Sequence, residues 1–114
     1  MIRDIDIPDD AHAAGFRLPR EIKELAVPEP WYLLDARALQ AMYRTINARY
    51  PNRKVVPFAR RRDTDDVATF VVHDPDYEQG MVLIVHDYSS PGFEVEGSFP
   101  TLGEWLVAAA QEAT

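Results

Sequence analysis

Apolar positions change their period along this chain, and each period predicts an element. Leu39, Met42, Tyr43, Ile46 and Tyr50 recur at spacings of 3, 1, 3 and 4, which is one stripe of an amphipathic helix. Asp35 stands just before it as an N-cap whose carboxylate can accept a backbone N–H. Leu34 and Leu39 flank that cap as a hydrophobic staple. Arg37, Gln40, Arg44, Asn47 and Arg49 fall mostly on the wet side, and Pro51-Asn52 ends the helix. A second helix is predicted from Leu102 to about Ala113, with Leu102, Trp105, Leu106, Ala109 and Ala110 inward. Its start, Thr101-Leu102-Gly103-Glu104, has capping-box spacing. A shorter helix begins at Pro19, a residue suited to the first helical position, and turns Ile22 and Leu25 inward before Pro28 stops it.

Between the two longer helices lie strand-like segments at 55–59, 66–72, 81–85 and 93–96. Pro57 puts the first at an edge or a bulge. The second and third are apolar on both faces, so they should be central and covered. In the fourth, Phe93 and Val95 would share a face. The connections at 60–65, 74–80 and 89–92 are short, which favours hairpins in an antiparallel meander. The predicted class is α+β: an antiparallel or mixed sheet of four or five strands, with helices mainly on one face. Residues 1–114 read as one domain. Ile2, Ile5 and Ile7 alternate with acids in the first 14 residues, which read as an edge strand or a loose arm. As an edge, they would leave both a monomer and a homodimer open.

Composition narrows the function. The chain is 46% apolar and 27% charged, as ordinary globular proteins are. Its lack of cysteine excludes disulfides, thiolate metal sites and a Cys nucleophile. No apolar run approaches the ~20 residues that span a bilayer. The acidic start Met1-Ile2-Arg3-Asp4 does not resemble a secretory signal, so a cytoplasmic protein is expected. A net charge of −7 argues against nucleic acid, whose phosphates would be repelled, and suits a basic partner.

Little in the chain points to catalysis. It has no phosphate-binding glycine loop, no G-x-S-x-G elbow and no H-E-x-x-H helix. Two His-Asp pairs, His73-Asp74 and His86-Asp87, lie at strand ends and offer metal-ligand chemistry. Strand-end histidines hydrogen-bonded to backbone are the plainer reading, with Asp74-Pro75-Asp76 opening a turn. Asp63, Asp65 and Asp66 follow Arg60-Arg61-Arg62, and local ion pairing at a solvated tip is the plainer reading. No enzyme activity, metal or cofactor is therefore expected. The residues expected to meet a partner are Asp63, Asp65 and Asp66 on one loop, Asp76, Tyr77 and Glu78 on a second, and Tyr88 and Phe93 on a third. Charged loop tips and aromatics among charges are where interfaces concentrate. Trp31 and Trp105 are expected in the core.

Four segments in order resemble the SUKH superfamily. Gly15-x-x-Leu18-Pro19-x-x-Ile22-x-x-Leu25 is similar to its opening helix, and Trp31-Tyr32-Leu33-Leu34-Asp35 to its W…L-D segment. Val56-Pro57-Phe58-Ala59 with Asp63-x-Asp65-Asp66-Val67-Ala68-x-Phe70 resembles its central hairpin. Phe99-x-x-Leu102-x-x-Trp105-Leu106 resembles its closing helix. The chain departs from the pattern at Ile22, where an aromatic is usual, and at residues 26–30, where a turn rich in asparagine and glycine is common. The resemblance implies a bacterial immunity protein that neutralises a cognate toxin, such as a nuclease, by binding it. The alternative is an interaction adaptor or regulatory scaffold with no toxin partner.

Overall fold

The computed structural model describes residues 2–112 and, at Glu24, the backbone alone. Five strands, β1 (Trp31–Leu33), β2 (Lys54–Arg61), β3 (Asp66–His73), β4 (Val82–His86) and β5 (Val95–Phe99), form one sheet in chain order. Every neighbouring pair is antiparallel, so the sheet is the expected meander rather than a mixed one. The helices are α1 (Asp9–Ala13), α2 (Ala36–Arg49) and α3 (Leu102–Glu112). The chain is thus of α+β class.

One face of the sheet packs on an aromatic core. Val56, Phe58, Phe70 and Ile84 face Trp31, Leu39 and Trp105 there. Phe58 stacks on Phe70 at 4.2 Å, and Trp105 stands edge-on to both Phe58 and Trp31 at 5.3 Å. Pro57 is placed as expected, at a bulge: the β2–β3 ladder slips between Pro57 and Ala59. That extra residue lets Val56, Phe58 and Ala59 all reach the same core. In α3, Leu102, Trp105 and Ala109 are buried, whereas Ala110 is exposed. Thr101 caps this helix by accepting the Glu104 N–H at 3.1 Å.

Three elements differ from expectation. The N-terminal segment is neither strand nor loose arm: a 3-10 turn (Asp4–Asp6) leads into α1, and Ile2, Ile7 and Ala11 enter the core while Ile5 faces solvent. The Pro19 helix is a 3-10 turn (Arg20–Glu24) that buries Ile22. Finally, β1 adds a strand where the sequence offered only a short apolar run, too brief to display a period of two.

Helix α2 begins at the Asp35 cap, whose side chain accepts the Ala38 N–H at 2.8 Å. It serves both faces of the sheet. Leu39 and Tyr43 join the aromatic core, while Ile46 and Tyr50 join Val55, Val67, Val71, Leu83 and Val85 on the other side. Asn47 is not a solvated residue. Its amide donates to the Val55 carbonyl at 3.0 Å and its carbonyl accepts the Val55 N–H at 2.9 Å. It thereby completes the β2 ladder where β1, paired only with Ala59, Arg60 and Arg61, does not reach.

Candidate interaction surface

Residues 62–65, the tip between β2 and β3, and residues 87–94, the connection from β4 to β5, lie at the same end of the sheet. The register puts Asp66 opposite His86, and the Asp87 N–H donates to the Asp65 carbonyl at 3.0 Å. Asp63 and Asp65 are exposed on the tip but tied locally. Arg61 grips Asp63 through two hydrogen bonds, of 2.8 and 2.9 Å, and Arg60 lies 3.6 Å from Asp65. The Arg61 hydrogen bond holds the Asp63 carboxyl below its ordinary value. A broad depression of about 530 Å³ spans Tyr32 and the tip. Its arginines are engaged by Asp65, by Asp63 and Glu112, and by Glu29, so it offers no unpaired cation to an anion.

The 87–94 connection is pinned from beneath. Arg49 pairs with Asp87, and the Tyr50 hydroxyl donates to the Ser89 carbonyl at 2.8 Å. Arg53 pairs with Asp74, and its Nε lies 3.0 Å from Glu94 as an ion pair rather than an aligned hydrogen bond. Glu94 also accepts the Gly92 N–H at 2.6 Å. Because Glu94 is drawn inward, the preceding Phe93 points out. It lies before β5 instead of sharing a strand face with Val95, and it is 81% exposed. Tyr88 is 69% exposed and has φ of 69°, a left-handed backbone that costs about 1 kcal/mol for a non-glycine residue. The Asp87 carboxylate accepts its N–H at 3.0 Å, and the Arg49 guanidinium sits 4.3 Å from its ring centre.

The other residues expected at an interface divide. Asp76 and Glu78 are exposed on the β3–β4 connection, where the Asp76 N–H closes the expected turn onto Asp74 at 2.9 Å. Tyr77 is half-buried against the second core and is no free anchor. This connection leaves the opposite end of β3 from the tip and is tied to Glu94 through Arg53. Arg49, Arg53 and Glu94 were the residues that sequence reasoning missed. Their partners lie too far along the chain for any local pattern to reveal them.

Asp66 is not a free loop acid. His86 Nδ1 lies 2.8 Å from Asp66 Oδ1 and 3.5 Å from Glu96 Oε1. The Asp66 hydrogen bond raises the His86 pKa above its ordinary value, as imidazolium is stabilised. Hydrogen bonding to Asp66 and burial push the Glu96 carboxyl up. Burial works against the Asp66 anion, but hydrogen bonds from Glu96 and His86 outweigh it and hold Asp66 below its ordinary value. These three are the residues that offer metal-ligand chemistry among those described. The alternative built on both His-Asp pairs does not form, since His73 pairs with Lys54 at the far end of β3.

No family model, no characterised protein and no solved structure matches this chain. Among the described residues, no helix is long and apolar enough to cross a membrane.

Proposed function

We propose that this chain is a protein-binding module, acting in the cytoplasm, that docks a basic partner on the end of the sheet formed by residues 62–65 and 87–94. The observation that carries this reading is the exposure of Phe93 and Tyr88 on a connection anchored by Arg49, Tyr50 and Arg53. Large aromatics held in place before binding lose little entropy on docking and make strong anchors. Asp63, Asp65 and Glu96 stand exposed nearby, and the net charge of −7 favours a positively charged partner and speeds its approach. The SUKH resemblance supplies the finer reading: the partner is a toxin, such as a nuclease with a basic cleft, and binding neutralises it.

The test begins with capture from the native host on the immobilised chain, followed by kinetics with the purified partner. The expected result is a 1:1 complex whose association slows as salt rises. The pair Tyr88→Ala and Phe93→Ala together should weaken it at least ~100-fold, as loss of two hot-spot side chains does. Unchanged affinity in that variant would overturn the placement of the surface. Many substoichiometric partners, with no toxicity in any of them, would favour an adaptor.

A further inference from the structure

Asp66 opens β3, His86 closes β4 and Glu96 lies in β5, so three adjacent strands each contribute one potential ligand. Asp66 and His86 are direct cross-strand partners. The next ladder slips: Ile84 pairs with Gly97 but Val85 pairs with Val95, which makes Glu96 the extra residue. A bulge re-aims the side chain it frees, and here the Glu96 carboxylate comes to 3.5 Å from His86 Nδ1. One oxygen or nitrogen from each of the three lies within 4.8 Å of the others. Ligands about 2.0–2.1 Å from a tetrahedral zinc sit about 3.3 Å apart. The Glu96–His86 separation already matches that edge, and the 2.8 Å between His86 and Asp66 needs to open by a few tenths of an ångström.

Asp66 and Glu96 also line a cleft of about 150 Å³ between the sheet and α3, walled by Trp31, Phe99 and Trp105. Trp31 is 4% exposed, and its Nε1–H has no acceptor among the described residues. A buried N–H donor of this kind is completed by an oxygen acceptor, such as a water or another oxygen ligand in the cleft. Arg61, the arginine of the same cleft, is already engaged by Asp63 and Glu112. Two carboxylates and an imidazole are thus gathered on rigid strands, with no lysine or arginine among the described residues bonded to them.

We propose that Asp66, His86 and Glu96 bind a first-row divalent cation such as zinc, bordering the cleft and bridging β3, β4 and β5. The nitrogen donor selects against magnesium and calcium, which take all-oxygen sites. Three protein ligands leave coordination open to water or to an oxygen ligand, as in non-structural zinc sites. This proposal needs neither Tyr88 nor Phe93, although the site borders the docking surface and Glu96 belongs to both.

The test is calorimetric titration of the whole, metal-stripped chain with zinc alone at neutral pH, alongside thermal unfolding. The expected result is one site per chain and a rise in Tm of about 5 °C or more at saturating zinc. Glu96→Gln and His86→Gln should each weaken binding at least ~10-fold, while His73→Gln, at the far end of β3, should not. Cobalt in place of zinc should give visible absorption bands that His86→Gln shifts or abolishes. Circular dichroism of each variant separates loss of metal from loss of fold, and Glu96, being exposed, should tolerate substitution. Absence of saturable binding by zinc, cobalt and manganese would overturn the proposal. So would zinc binding that survives unchanged in both variants.

Discussion

On one side of the sheet, Trp31, Phe58, Phe70 and Trp105 interlock with α3 and the N-terminal segment in a core that is apolar at its centre, with polar contacts such as Arg61–Glu112 and Tyr43–Asp10 at its rim. On the other side, a small aliphatic cluster is closed by the end of α2 and by loops that charged groups hold down. Arg49 meets Asp87, and Arg53 meets both Asp74 and Glu94, whose side chains are 0% and 4% exposed. The first side resists change because volume is hard to replace. The second depends on paired charges, which are strong only while both partners are present. The aromatics proposed to meet a partner ride on the second side.

The comparison can be broken first at its stronger half. Trp105→Ala removes the side chain that touches both Phe58 and Trp31 and should cost about 3–5 kcal/mol by denaturant unfolding, as large aromatic truncations in cores do. Loss below about 1 kcal/mol would mean that the aromatic core is not what holds α3.

Arg53→Ala strands two buried carboxylates and should cost about 3 kcal/mol. Adding Asp74→Asn and Glu94→Gln to Arg53→Met should recover most of that loss, because no buried charge is then left unpaired. A failure to recover would show that the cost lies in packing rather than charge. This contrast also explains what was legible. The meander, α2 and α3 were readable because amphipathic period and capping are local in sequence. The ionic closure was not, since Arg53 is 21 residues from Asp74 and Arg49 is 38 from Asp87. Tyr77 and Phe93 were read alike as exposed aromatics; only the buried Glu94 beside Phe93 decides that one turns out while the other packs in. The Asp66–His86–Glu96 cluster was hidden for a similar reason. It requires both the β3–β4 register and the bulge in β5.

Asn47→Ala removes the side chain that completes the β2 edge and should cost about 1–2 kcal/mol, the size expected for a half-buried backbone pair left unsatisfied. Exchange of the Val55 amide should accelerate in the same variant. An unaltered Val55 amide would show that water serves that edge equally well.

The smallest effect concerns the N-terminal segment. Asp10 accepts from Lys54 at 2.8 Å and from the Tyr43 hydroxyl at 2.8 Å, and hydrogen bonding to Lys54 holds its carboxyl below the ordinary value of 3.8. A depressed carboxylate pKa contributes stability above the unfolded value and loses it as pH falls through the folded one. Asp10→Asn should therefore cost less than about 1 kcal/mol at pH 7, since the pair is largely exposed. The gap from the parent chain should close below about pH 3.8. A gap that stays constant with pH would assign the effect to shape instead of charge.

Amide hydrogen exchange across residues 87–94 is the most direct measurement of whether charge preorganises the aromatic surface. The amides of Asp87, Tyr88, Ser89, Gly92 and Phe93 all donate hydrogen bonds within the fold. They should exchange far more slowly than in an unfolded chain, and Arg53→Ala should release them while the Phe70 and Val82 amides stay protected. Exchange at unfolded rates in the parent chain, or no response to Arg53→Ala, would contradict a loop held ready by buried ion pairs.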